Sequence, residues 1–318
     1  MKKIFCVGEA LIDLICTDKG QPLSAGQHFL KKAGGAPANA AAAIAALGGE
    51  VDLAAKVGKD PFGDFLIQTI QHYGVSTKYV FQDPKHFTTL AFVSLMENGE
   101  RDFYFSRGAD GQLHLDDLAS VNFNEYAVMH FGAATGFMAG PSNVTYHKLL
   151  GEAIQQNTLI IFDPNYRSLL FQHDQANFIE QSWSFLESCH FFKVSDEEAL
   201  LLTQSNTLEA AAAAFHERTN AVFCITLGEK GTWLGWNNTD RIIPSIPVKV
   251  EDTTGAGDAF IGAMIYQLAD QTPESLREMP ITTWERMVAN ANKAGARTCE
   301  YLGAMEAFPY LSNELFNS

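Results

Sequence analysis

The residues best able to do chemistry stand together late in the chain, in Glu251-Asp252-Thr253-Thr254-Gly255-Ala256-Gly257-Asp258-Ala259-Phe260. Downstream, Phe260, Met264 and Leu268 recur at helical spacing with Ile261 and Ile265 beside them. A helix therefore begins around Gly255 to Gly257, and Asp258 falls in its first turn. Small residues at such a start leave backbone N–H groups bare at the positive end of the helix, where a phosphate can approach closely. An aspartate, with an ordinary pKa of about 3.9, is ionised at neutral pH and can accept a proton. A hydroxyl held between Asp258 and a terminal phosphate is set for in-line phosphoryl transfer. A structural account competes with this one: Asp258 complements the helix dipole, and the glycines only make a tight turn.

The elements that must position this segment read as an α/β protein. Lys3 to Val7 is a buried strand, and Leu11 to Cys16 a second that carries Asp13 among apolar neighbours. Gly34-Gly35-Ala36-Pro37-Ala38-Asn39 opens an alanine-rich helix closed by Gly48-Gly49, with proline at its start and glycine past its end. Val51 to Val57 reads as a strand and Pro61 to Tyr73 as a helix. Thr88 to Met96 and Arg101 to Phe105 flank Asn98-Gly99, a strong hairpin signal. Beyond residue 127, apolar strands at 128–131, 159–162, 191–194 and 222–226 alternate with helical or polar stretches, Pro141 to Ile154 among them. That alternation implies right-handed βαβ crossovers and a parallel sheet, with the hairpin material as a smaller sheet beside it. One main domain over 1–318 with a lid from segments near 11–31 and 88–107 is the economical reading.

Composition narrows the classes. In 318 residues, 37 acidic against 22 basic side chains give a formal charge of −15, so broad nucleic-acid or anionic-membrane binding is not expected. No run approaches the roughly 20 apolar residues of a membrane span. The five cysteines, Cys6, Cys16, Cys189, Cys224 and Cys299, form no CxxC pair, which reads as a reducing, cytoplasmic setting. No Gly-x-Gly-x-x-Gly follows the first strand, no P-loop occurs, and the nine histidines show no His-Glu-x-x-His spacing.

Asp-Thr-Thr-Gly-Ala-Gly-Asp at 252–258, together with Gly-Gly-Ala-Pro-Ala-Asn at 34–39, resembles the paired signatures of the ribokinase/PfkB family of sugar kinases. The resemblance implies a ribokinase-like three-layer α/β sandwich, with a mainly parallel central sheet and a small β-sheet lid. It implies ATP and Mg2+, with Asp258 as general base and the Gly255, Ala256 and Gly257 amides as the anion hole. Asp13, Gly34, Gly35 and Asn39 match positions lining the sugar. A helix-capping role for Asn39 and a solvent-facing one for Asp13 remain as alternatives. Thr226-Leu227-Gly228-Glu229-Lys230-Gly231 resembles the family's loop at the nucleotide, so Thr226, Gly228 and Gly231 join the nucleotide set, with Lys193. Asn292 matches a position near the adenine, against simple packing. Lys193-Val194-Ser195-Asp196-Glu197-Glu198 resembles the family's Asn-x-x-Glu element with Ser195 in place of asparagine. Glu198 would then act on magnesium through waters, while a capping box of Ser195 and Glu198 is the structural alternative. A potassium ion beside Asp252 and Thr254, common in the family, is compatible with the last loop through backbone carbonyls, although Glu300, Tyr301 and Leu302 depart from the commoner pattern.

Asp163-Pro164-Asn165-Tyr166-Arg167 resembles the fructokinase and 2-keto-3-deoxygluconate kinase branches, and Ser106-Arg107-Gly108-Ala109-Asp110 a fructokinase-type segment. Asn165 is read with the sugar site. Arg107 and Arg167 either face the pocket, against a carboxylate or phosphates, or form surface ion pairs. The balance tilts to fructose, with 2-keto-3-deoxygluconate as the other sugar reading. A catalytically silent sugar- or nucleotide-binding regulator is the rival of another class. Apolar faces at Leu90-Phe92 and Phe103-Phe105 predict a homodimer through the lid.

Overall fold

Unbroken apolar runs such as Leu-Ile-Ile-Phe and Phe-Phe-Lys-Val need cover on both faces, and a parallel sheet between two helical layers supplies it. A computed structural model describes residues 2–96 and 101–317. Its strands are β1 (Lys3–Val7), β2 (Leu11–Cys16), β3 (Phe29–Gly34), β4 (Val51–Gly58), β5 (Ser76–Asp83), β6 (Leu90–Leu95) and β7 (Arg101–Ser106). They continue with β8 (Tyr126–Gly132), β9 (Leu159–Asp163), β10 (Phe191–Ser195), β11 (Val222–Thr226), β12 (Thr232–Trp236) and β13 (Thr239–Ile243). The helices are α1 (Ala36–Ala46), α2 (Pro61–His72), α3 (Pro141–Gln155), α4 (Gln175–Leu186) and α5 (Asp196–Thr203). After them come α6 (Leu208–Arg218), α7 (Ala256–Leu268), α8 (Pro273–Glu278) and α9 (Ile281–Thr298).

Among the described residues the large sheet runs β13-β12-β11-β10-β9-β8-β1-β4-β5. Strands β11 through β5 in that order are parallel, and β12 and β13 extend one edge antiparallel. One face packs on α1, α2, α7, α8 and α9, with Ile44, Leu66, Met264 and Trp284 buried there. The other face packs on α3, α4, α5 and α6 through Tyr146, Phe178, Phe185, Leu202 and Phe215. This is the expected three-layer sandwich. The chain leaves β1 outward to β4 and β5, then returns to lay β8 on the other side of β1. The order therefore reverses between β1 and β8, and in open α/β sheets the crevice at such a reversal is where ligands sit.

The small sheet is β3-β2-β6-β7, with β2 and β6 parallel at its centre and the outer pairs antiparallel. It therefore continues to Gly34, beyond the expected boundary near 31. Strands β6 and β7 pair antiparallel from Leu90↔Ser106 to Leu95↔Arg101, as a hairpin requires; the Asn98-Gly99 turn itself lies outside the described residues. No helix among the described residues is long and apolar enough to cross a membrane.

Candidate active site

Where β1 ends, the chain passes through Gly8, Glu9 and Ala10 into β2, which pairs with β3 so that Asp13 lies opposite Lys32 and Leu11 opposite Gly34. The Asp13 carboxylate leans over Gly34: a Cβ on that residue would stand 2.1 Å from Asp13 Oδ2, so only glycine fits. Gly35 follows with φ 105°, left-handed backbone that turns the chain into α1. No side chain caps α1 in the usual way. Instead the buried Glu9 accepts the Ala36 N–H through Oε1 at 3.1 Å, while Thr135, just past β8, donates to Glu9 Oε2 at 3.4 Å. Glu9 thus spans the crevice between β1 and β8.

Asn39 does not cap its own helix. Its Nδ2 donates to Asp258 Oδ2 at 2.8 Å, joining residues 219 positions apart. The alanines of α1 are what permit this, because side chains no larger than methyl let α1 lie close against α7. Asp258 is buried in the first turn of α7, whose N-cap, Gly255, has φ 81° and no side-chain capping bond. The early N–H groups of a helix lack intrahelical acceptors, and the small residues here leave them uncovered. Only Ala256 N reaches a nearby carbonyl, that of Thr253, at 3.3 Å. Under this cradle lies Lys193, on β10: its Nζ is 3.2 Å from where a Gly257 Cβ would be. Both oxygens of the fully buried Asp163, at the end of β9, accept from that ammonium, at 3.0 and 2.9 Å.

These contacts set the titration of the site. Burial raises the Asp258 pKa, and the Asn39 bond and the Lys193 and Arg167 charges pull part of that rise back. Burial also pushes Asp13 up to about 7, opposed by Arg167 and reinforced by the charge of Asp258. Glu9 is raised to about 8, chiefly by burial. For Lys193 burial acts downward, but Asp163 and Glu198 outweigh it, and the pKa is raised, so the ammonium stays charged.

Arg167 is exposed, bonded through Nη1 to the Tyr166 carbonyl at 3.2 Å, and its charge reaches Asp13, Glu9 and Asp258. Asn165 is buried with left-handed φ 50° and donates back to the Asp163 carbonyl. Arg107 is placed differently from either expectation. Its guanidinium is committed to the Ala139 and Thr135 carbonyls, at 2.6 and 3.2 Å, and to Ser142 Oγ at 3.0 Å. It clamps the loop after β8 to the root of the lid instead of facing a ligand or forming a surface ion pair.

On the nucleotide side Thr226 ends β11, and Gly228 and Gly231, both at positive φ, turn the chain into β12. Asn292 is not left open to a base. Its Oδ1 accepts from Thr232 Oγ1 at 2.6 Å and its Nδ2 donates to the Ile243 and Pro244 carbonyls, tying α9 to the sheet edge. Asp252 Oδ1 accepts from the Thr254 amide and hydroxyl, and Oδ2 from Gly303 N, which fastens the strand-to-helix turn to the last loop.

Residues 1–310 match the model of the pfkB family carbohydrate kinase. This chain belongs to that family. It is 34% identical over 311 residues to a probable fructokinase-4 of Arabidopsis thaliana, covering 96% of this chain and 93% of the relative. A fructokinase with bound ATP from Xylella fastidiosa superposes with TM-score 0.86 at 28% identity, over 99% of this chain and 97% of that one. A fructokinase from Vibrio cholerae O395 in fructose, ADP and calcium ion bound form gives TM-score 0.82 at 31% identity, over 100% and 98%. The protein is an ATP-dependent carbohydrate kinase, a phosphotransferase with a hydroxyl acceptor.

In this kinase Glu198 forms the capping box: Oε2 accepts Ser195 N at 2.7 Å and Ser195 Oγ accepts Glu198 N at 3.1 Å. Oε1 accepts Tyr166 N at 2.7 Å. Each carboxylate oxygen keeps a lone pair for a water, which fits a hydrated divalent cation held mainly by phosphates. Among the described residues no three His, Cys, Asp or Glu side chains are grouped to cage a metal by themselves. Sequence reasoning passed over Glu9 and Asp163 as site residues. The signal was a lone carboxylate at the end of an apolar strand in both cases.

Proposed function

We propose that this kinase transfers the γ-phosphoryl group of ATP to the primary hydroxyl of fructose, releasing ADP and fructose 6-phosphate. The observation that carries the transfer is the Asn39–Asp258 bond above Lys193, which sets a buried carboxylate beside bare helix-start amides and a fixed cation. Asp258 takes the hydroxyl proton as the new O–P bond forms and the bond from Pγ to the β,γ-bridging oxygen breaks. Its raised pKa brings it nearer the pH of operation, where a base transfers a proton most efficiently. The amides of Gly255, Ala256 and Gly257 receive the charge that develops on the phosphoryl oxygens. Asp13, Asn39, Asn165 and Arg167 hold the sugar hydroxyls, and Gly34 and Gly35 let the ring approach the backbone. Thr226, Gly228 and Gly231 line the nucleotide phosphates and ribose, and Asn292 shapes the adenine end through the edge it ties down. Mg2+, held through water by Glu198, supplies charge neutralisation at the phosphates. A potassium ion, if used, would sit by the turn that Asp252 and Thr254 build.

Fructose is favoured over 2-keto-3-deoxygluconate because Arg107 is committed to protein acceptors, leaving Arg167 as one cation where a sugar acid invites two. Full-length similarity to fructokinases points the same way. The test is ADP release with fructose, ribose, 2-keto-3-deoxygluconate, tagatose and adenosine as acceptors. The highest kcat/KM is expected for fructose. Preference for the sugar acid would overturn the substrate, and no ADP release with any acceptor would leave the silent regulator.

The lid sheet exposes Phe29, Leu30, Leu95 and Tyr104, the last two at 60% and 62%. An apolar sheet face of this kind invites a second copy, so the kinase is a homodimer through its lid; a monomer in sedimentation at micromolar concentration would refute it. Five unpaired cysteines suit a cytoplasmic home.

A further inference from the structure

At the ends of β10 and β11 opposite the catalytic crevice, the fold contains a second cleft, of about 130 Å3. It is far smaller than the ~300–1,000 Å3 of pockets that take drug-sized ligands. Strands of five residues separate it from Ser195 and Thr226 on the same strands, roughly 15 Å at 3.3 Å per residue. The cleft lies between the end of α4, the strand entries at His190 and Asn220, the β12–β13 turn and α8.

Its side chains are mainly hydrogen-bond donors. Arg277 makes no ion pair or hydrogen bond among the described residues and faces His190. His190 Nδ1 accepts the Ile160 amide at 3.0 Å, so its proton sits on Nε2 and that atom is a donor. Trp236 leads into a two-residue turn, Asn237 and Asn238, whose φ values of 46° and 56° mark a type I′ hairpin. The turn sets the Trp236 indole against the cleft, with Nε1 buried and lacking an acceptor. A buried donor left unpaired costs about 1–3 kcal/mol, so a ligand that accepts from it gains what the empty site lacks. Asn220 and Asn237 add amide groups at the rim. The carboxylates nearby are already engaged: Glu187 with Arg218 at 2.7 Å, and Glu274 with Asn157 at 2.8 Å.

We propose that this cleft binds a small oxyanion, phosphate-sized, between Arg277, His190 and Trp236. A guanidinium, an imidazole N–H and an indole N–H converging on a small cleft match tetrahedral or carboxylate oxygens. In a chain of net charge −15, a local cluster of uncompensated donors is a selective place for an anion.

The test is isothermal titration of inorganic phosphate into the full-length kinase saturated with a non-hydrolysable ATP analogue, which fills the catalytic phosphate cradle. One phosphate per chain is expected, weakened at least tenfold by Arg277→Ala and several-fold by Trp236→Phe, with kcat for sugar phosphorylation unchanged in both. Parallel titrations with glycerol phosphate and acetate identify the source: a phosphoester, free phosphate or a carboxylate, according to which binds tightest. No binding to the wild-type chain, or binding that survives both substitutions, overturns the proposal.

Discussion

The two halves of the catalytic crevice are built in opposite ways. On the α7 side, Asp258, Lys193, Asp163 and Glu198 are all buried, and short hydrogen bonds tie them to one another or to backbone. On the lid side, Asp13 and Lys32 are only partly covered, the strands carry exposed Phe29, Leu30, Leu95 and Tyr104, and one side-chain ion pair, Lys32–Glu306 at 2.5 Å, ties β3 to the last loop. The difference teaches a division of labour. Charge stabilisation needs groups that do not reorganise, so it sits where packing fixes rotamers. Sugar entry needs an element that can open, so it sits on a thin sheet with one face unpacked.

The sharpest way to break this comparison is Asp258→Asn. Turnover should fall roughly 10²–10⁴-fold with ATP affinity nearly kept, since only proton acceptance is removed; ADP release at saturating substrates with near-normal turnover would end the assignment. Next comes Lys193→Met, which leaves the Asp163 carboxylate buried and unpaired. Urea unfolding should report a loss of about 3–5 kcal/mol, and a loss under half of that would mean the pair is less enclosed than its geometry indicates.

A third test uses pH, and the two signs oppose each other. Asp13, raised to about 7, and Asp258, also raised, take up protons as pH falls through those values, so kcat/KM should show an acid limb near neutrality. Glu9 binds its proton more tightly folded than unfolded, so its contribution to stability is full below pH about 4.5 and lost as pH rises through about 8. Glu9→Gln, which can keep both hydrogen bonds, should flatten that decline and raise apo-protein stability at pH 8 by about 1–3 kcal/mol. Thermal melts with parallel pH dependence in both proteins would remove Glu9 from this role. The smallest effect belongs to the lid: Lys32→Met should raise the sugar KM about two- to fivefold with kcat unchanged, as fits a partly exposed ion pair. A drop in kcat instead would mean that the lid contact is part of the chemical step.

Much of the fold was legible in the sequence. Parallel strands read clearly because burial on both faces makes them uniformly apolar, and Pro61 and Pro141 mark their helices because proline is pre-shaped for the first turn. Strands β5, β12 and β13 were not, since edge strands such as Ser-Thr-Lys-Tyr-Val-Phe-Gln-Asp mix polar and apolar residues without clear alternation. Asp258 and its glycines announced themselves through local spacing, whereas the fate of Arg107 and Asn292 did not, because their acceptors come from segments 28–35 and 48–60 residues away.

By itself the sequence determined the alternation of strands and helices, the bare amide start of α7, and the presence of a carboxylate there, all of which depend on neighbours a few positions apart. Only the tertiary structure decided that Asn39 reaches Asp258, that Lys193 lies under the cradle with Asp163, and that Glu9 bridges β1 to β8. Those are contacts across 30 to 219 residues, and their chemistry comes from burial, which a linear chain in water does not possess.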